Sequence, residues 1–161
     1  MADPNPKLAP LLGERRIASV ATVSKDGIPH LTSVWFVYEQ GALYLAIPSS
    51  SVKGMNLLRN PGIAVMVDTR VAYREAGLTA VGHAEILRGE EAAAIVRRVH
   101  EKYLTPEALE DARVGTVFAD MDDIAVKLVP RKWLAWDMAE LDKQAFDGAM
   151  ARNRYLKDLL P

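Results

Sequence analysis

The residues best suited to chemistry lie in Ser49-Ser50-Ser51-Val52-Lys53-Gly54-Met55-Asn56. Hydroxyls and free backbone N–H groups at a helix start, with a lysine one turn in, suit an anion such as phosphate. The same residues also describe a serine-capped helix whose lysine is solvated, and short motifs of this kind do not separate the two readings. A second stretch, Leu31-Thr32-Ser33-Val34-Trp35, alternates hydroxyls with an indole along a strand. It can offer hydrogen bonds to a planar ligand, or it can bury Val34 and Trp35 and turn the hydroxyls to water. Trp133 and Trp136, three residues apart, fall on opposite faces of a regular strand, so either both pack or one lines an interface pocket.

Other chemistries are poorly served. There is no cysteine, which removes thiolate nucleophiles, thiolate metal sites and disulfides. His30, His83 and His100 have no metal-ligand spacing and read as surface or hydrogen-bonded histidines; no metal is expected. Glu90-Glu91 and Asp122-Asp123 are adjacent pairs whose side chains diverge, so they read as solvated or helix-start charge rather than an acid/base pair. No catalytic residue is assigned. With 20 basic and 21 acidic residues dispersed along the chain and a net charge of -1, no basic stripe is available for nucleic acid. The N-terminal stretch has only a short, proline-interrupted apolar patch, and no apolar run approaches the roughly 20 residues of a membrane span. The expectation is a cytoplasmic protein with neither a nucleic-acid nor a membrane partner.

These candidate residues need elements to position them. At 161 residues and 50% hydrophobic, the chain can bury one core, and a single domain over 1–161 is expected, with its core at 8–138. Arg16 to Ser24 and Ile28 to Glu39 are rich in β-branched and aromatic residues around the turn Lys25-Asp26-Gly27. Ala42 to Ile47 follows Gly41 as the third arm of an antiparallel meander. Pro48 and the serines then lead into a short helix ended by Asn60-Pro61-Gly62. Gly62 to Thr69 and Leu78 to Leu87 read as further strands around a loop at 70–77, with Gly82 a bulge or close-approach point.

Gly89 to Leu104 has helical spacing at Ala93, Val96, Val99, His100 and Tyr103, and Thr105-Pro106 opens a shorter helix. Ile124 to Val129 and Lys132 to Met138 are the last strands, and residues 139–160 form a terminal helix. Six or seven strands without βαβ alternation imply a mainly β (α+β) antiparallel barrel with peripheral helices.

The runs IASVATVSKDGIPHLTSVWF and LYLAIPSSSVKGMNLLRNPGIAVMVD, followed by GHAEIL, EKYL and VKLVPRKWLAW, resemble the pyridoxamine 5'-phosphate oxidase-like FMN-binding split barrel superfamily. The likeness is greatest to its flavin/deazaflavin (F420)-dependent oxidoreductase branch and covers about residues 8–138. It implies a homodimeric split β-barrel that binds FMN or coenzyme F420 at the subunit interface. It also implies hydride transfer to a small planar organic acceptor, or alternatively a non-catalytic flavin- or haem-related binding role.

By that resemblance Ser50, Ser51, Lys53 and Asn56 hold the cofactor phosphate. Thr32, Ser33, Val34 and Trp35 line its ring, Ile47 and Pro48 sit beside it, and Trp133 and Trp136 contribute by position. Two departures stand out. Lys53 is the only cation near the serine stretch, and the ending YLKDLLP lacks the arginine-bearing segment of true pyridoxamine phosphate oxidases, so vitamin B6 is not the expected substrate.

Overall fold

The computed structural model describes residues 3–157. The described residues form eight strands in the order β2-β1-β5-β6-β7-β4-β3, with β8 paired to β6, and several helices around them. This is a mainly β, antiparallel split barrel.

β1 (Ala18–Val23) and β2 (Pro29–Val34) form a hairpin in register Ala18↔Val34 to Val23↔Pro29. Its turn depends on Gly27, whose φ of 79° is in the left-handed region that glycine adopts without strain. Ser24 Oγ accepts from the N–H groups of Asp26 and Ile28 and closes the turn. β1 alternates buried and half-buried residues, whereas β2 is an edge strand with Ile28 and Leu31 exposed at either side of its start.

The expected arm from Ile28 to Glu39 is two strands. Pairing stops at Trp35 and resumes as β3 (Phe36–Glu39), which pairs with β4 (Ala42–Pro48) and not with β1. The meander is thereby corrected: β2 and β4 do not pair, and the chain passes from one half of the barrel to the other at Trp35. This break is why eight strands are found where six or seven were expected. The Tyr103 hydroxyl fixes the crossing: it donates to the Arg16 carbonyl (2.5 Å) and accepts from the Phe36 N–H (3.4 Å). Burial pushes the Tyr103 phenol above its ordinary pKa, so it stays a neutral donor.

β5 (Gly62–Thr69) and β6 (Ala76–Leu87) pair from Gly62↔His83 to Thr69↔Ala76. β6 belongs to both halves: it pairs with β5 as far as His83 and with β8 (Lys132–Asp137) as far as Val81, and with β7 (Asp123–Leu128) from Ala84 onward. A Cβ at Gly82 would lie 2.9 Å from Leu128 Cδ1 and 3.2 Å from the Val129 carbonyl, so close approach is the reason for glycine here. The main core lies between the halves, with Phe36, Leu43, Leu45, Ile47, Val65 and Leu78 completely or almost completely buried.

The helices follow local signals. α1 (Val52–Arg59) is capped by Ser51, whose Oγ accepts from the Gly54 N–H at 3.2 Å. α2 (Gly89–Tyr103) starts with Glu90 and Glu91 at its positive end and buries Ile95, Val99 and His100 against Val37, Leu87 and Ala125. Thr105 caps α3 (Pro106–Glu110). α4 (Gly115–Asp120) was not expected from the sequence, because no side chain caps it and it opens on glycine.

The single terminal helix expected over 139–160 is instead α5 (Met138–Phe146) and α6 (Ala149–Arg152), divided at Asp147 and Gly148, both at positive φ. The buried Asp142 carboxylate accepts from the N–H groups of Met150 and Ala151 at 3.0 Å each and fixes this corner. Residues 158–160 of that expectation lie outside the described residues. No helix among the described residues is long and apolar enough to cross a membrane.

Two measurements follow from this packing. Tyr103→Phe keeps the ring but strands the Phe36 N–H and the Arg16 carbonyl, and should lower unfolding stability by about 1–3 kcal/mol in urea titrations; an unchanged midpoint would remove Tyr103 from this role. The Lys7 ammonium, 2.6 Å from Asp137, holds that carboxyl below the usual carboxylate range while Asp137 also caps α5. Because the folded-state value is the depressed one, this stabilisation is present above the unfolded value of about 3.9 and is lost as pH falls through the folded value. Thermal melts of wild type and Lys7→Met should therefore differ at about pH 5–6 and draw together as pH falls below the unfolded value of about 3.9.

Candidate functional site

A cavity of about 380 Å³ opens where the chain crosses between the barrel halves. Ser33, Val34 and Trp35 form one wall, and Pro48 at the end of β4 and Lys53 in the first turn of α1 form another. Val99 and His100 of α2 and Phe118 of α4 close it, with Met121 and Asp123 beside them. Five residues singled out by the sequence thus meet around one space, brought there by the strand break at Trp35 and by the cap that starts α1 beside Pro48.

Their chemistry differs from residue to residue. Lys53 is half-buried and makes no ion pair among the described residues, which leaves its ammonium available to an anion. Ser33 is exposed. Trp35 is stacked against Tyr103 (centroids 5.0 Å, interplanar angle 6°) and Phe118 (5.7 Å, 19°), with His100 edge-on at 6.3 Å. The indole is a wall anchored by the chain's own rings rather than an unoccupied stacking platform.

The other seven candidates lie elsewhere. Thr32 pairs with Val20 in the β1–β2 hairpin, and Ile47 is buried in the main core. Ser50 is exposed, while the Ser51 hydroxyl donates to the Pro48 carbonyl at 2.7 Å and caps α1. Asn56 is buried: its amide donates to Thr22 Oγ1 (3.1 Å) and its oxygen accepts from Arg59 (3.0 Å), so it fastens α1 to β1. Trp133 packs on the main core with Tyr38 edge-on to it. Trp136 is partly exposed over Gly77, where a Cβ would come within 2.6 Å of Nε1. Both tryptophans are on β8, and neither lines this cavity within the single chain.

One pair was missed. His100 Nε2 lies 3.4 Å from Asp123 Oδ2, with the two side chains 8% and 3% exposed. The Asp123 side chain is therefore buried, where solvated or helix-start charge was expected, and its Oδ1 has no hydrogen-bond partner among the described residues. The available signal was the placement of His100 on the buried stripe of α2 with Val96, Val99 and Tyr103; its partner, 23 residues further along the chain, has no local signature. His83 is exposed and His30 half-buried. No cluster of three metal-ligating side chains occurs among the described residues.

Known structures share this architecture. A conserved hypothetical protein of Mycobacterium tuberculosis is 23% identical with a TM-score of 0.66, covering 100% of this chain and 92% of its own. The heme storage protein HutZ of Vibrio cholerae is 18% identical with a TM-score of 0.64, over 81% of this chain and 92% of its own. An F420 reductase is 20% identical with a TM-score of 0.61, over 82% of this chain and 98% of its own. At these identities the likeness is one of fold. No curated protein matches the sequence. The family model of pyridoxamine 5'-phosphate oxidase matches residues 4–137, the whole of the split barrel, and the chain belongs to that family.

Proposed function

We propose that the chain binds FMN or coenzyme F420 in the cavity at the barrel crossing and acts as an oxidoreductase on a small planar organic acceptor. The observation that carries this reading is the meeting of the Lys53 ammonium, in no ion pair among the described residues, the Ser33 hydroxyl and the Val34–Trp35 wall around one space. That donor set fits a phosphate joined to a planar ring: the cation and hydroxyl take the charged end, and the apolar wall takes the ring. A bound flavin or deazaflavin supplies the hydride chemistry, and the protein supplies position and electrostatics.

At about 380 Å³ the cavity is at the lower end for a ligand of this size, which favours a site completed by a second copy of the chain. The exposed side chains of Ile28, just before edge strand β2, and of Leu31 on it suit burial in such a homodimer. Trp133 and Trp136 would then contribute only across that interface. Similarity in fold to a heme storage protein supports one other reading, a binding protein without turnover.

Fluorescence titration of the cofactor-free protein with FMN and with F420 in parallel tests the reading: tight binding of one names the cofactor, and binding of neither overturns it. Lys53→Ala should weaken binding by about 1–3 kcal/mol through loss of a charge-assisted phosphate contact. Asn56→Ala should instead lower unfolding stability by about 1–3 kcal/mol, because its buried partner Thr22 loses a hydrogen bond. The reverse pattern would return Asn56 to the phosphate and remove Lys53 from it.

A further inference from the structure

The cavity at the barrel crossing is closed on one side by α4, and α4 is held unlike the elements around it. It has no side-chain cap, and none of its residues is buried. At Gly115 a Cβ would come 1.9 Å from the Leu109 carbonyl oxygen, and the Gly115 N–H donates to the Asp111 carbonyl at 2.7 Å, so α3 and α4 touch backbone to backbone and form one unit. The unit is fastened at its ends. Thr105 caps α3, and Asp122, just beyond α4, is bonded to Ser49 through both its carbonyl (2.8 Å) and its carboxylate. Between those ends the Phe118 ring reaches the barrel, stacked on Trp35 (5.7 Å, 19°) and edge-on to His100 (4.8 Å, 65°).

Trp35 therefore carries two stacked rings, and they differ in how they are held. Tyr103 is fixed by the bonds of its hydroxyl to Arg16 and Phe36, whereas Phe118 has ring contacts alone. A stacked pair of this kind is weak enough for another planar ring to replace it. Phe118 thus covers part of the wall that a planar ligand would use. With Met121 it also lines a larger cavity of about 960 Å³ between α2, α3–α4 and the ends of β6 and β7. Withdrawal of α4 would widen the smaller space, which at about 380 Å³ is tight for a tricyclic ring carrying a phosphate.

We infer that Phe118 is a built-in competitor for the ring of the cofactor: it occupies the face of Trp35 in the cofactor-free protein, and α3–α4 swings away between its fastened ends before a planar ring stacks there. This rests on the cofactor reading above and adds the step that controls access to that site. The observed affinity is then reduced by the fraction of molecules in which α4 is withdrawn.

FMN and F420 are each titrated into wild type, Phe118→Ala and Phe118→Leu, with binding followed by cofactor fluorescence and association by stopped flow. Phe118 is half-buried and outside the barrel core, so both variants should fold. Phe118→Ala should tighten binding about threefold to tenfold, the worth of one stacked pair, chiefly through faster association. Phe118→Leu keeps an apolar side chain in the wall without a ring to stack, and should shift affinity in the same direction. Hydrogen exchange adds a reading that needs no cofactor: the amides of residues 118–120 should exchange faster in cofactor-free Phe118→Ala than in cofactor-free wild type. In wild type they should also exchange faster once the cofactor is bound, because the ring that holds α4 down has been displaced.

Weaker binding in both variants, or slower exchange of α4 with cofactor bound, would make Phe118 a wall of the site and overturn the inference. Unchanged exchange in cofactor-free Phe118→Ala overturns it as well. If a cofactor binds all three proteins equally, this inference alone falls. If neither cofactor binds any of them, the cofactor reading falls and takes this inference with it, whereas binding by the variants and not by wild type supports both.

Discussion

The bond that the Tyr103 hydroxyl donates to the Arg16 carbonyl, while its own oxygen accepts from the Phe36 N–H, is the constraint on which the site depends. A strand that changes partners must leave backbone groups unpaired at the change, and buried groups of that kind are costly unless something satisfies them. Tyr103, at the last residue of α2, satisfies two of them from outside the sheet. The same ring stacks on Trp35, the residue at which pairing stops, so one side chain supplies both the polar and the apolar support of the crossing. The cavity exists because β2 and β3 diverge there. A continuous strand from Ile28 to Glu39 would have filled the space with sheet.

This also separates what was legible in the sequence from what was not. Strand pattern and turn chemistry are local, so the β1–β2 turn, the Ser51 cap, the Thr105 cap and the span of α2 could be read from neighbouring residues. The partner change at Trp35 could not, because the β-branched and aromatic run continues through it and the bond that breaks the pairing comes from a residue 67 positions away. The division of the terminal helix is similar. It depends on Asp142 accepting from Met150 and Ala151, and an aspartate within a helical pattern gives no warning of that.

The candidate site divides along the same line. Residue types that suit a phosphate or a planar ring were visible at Ser33, Trp35 and Lys53. The sequence could not say which polar side chains had structural work already. Asn56 and Ser51 carry the right atoms, but one fastens α1 to β1 and the other caps α1. Asp122-Asp123 shows the converse. Along β7 alternate residues face opposite ways, so one carboxylate of the pair meets Ser49 at the surface while its neighbour is carried inward to His100. That the two side chains diverge was legible from their adjacency; which of them turns inward, and that it meets His100, was not.

The balance of energies around the two cavities follows from these placements. A core led by Phe36, Leu43, Leu45, Ile47 and Leu78 is apolar and almost free of solvent, and its burial supplies most of the driving force for folding. Asp123 works against it, since a carboxylate oxygen without a partner costs about 1–3 kcal/mol relative to a satisfied one. An apolar side chain at the start of β7 would remove that cost and pack against Phe118 and Met121. The chain keeps the carboxylate beside the cavity at the barrel crossing, where it faces His100 Nε2 at 3.4 Å and can orient the imidazole. Local stability is thus lower where polar groups converge, and the rigidity needed to hold them comes from the β4–β7 register beside them, which runs unbroken from Leu43↔Leu128 to Pro48↔Asp123.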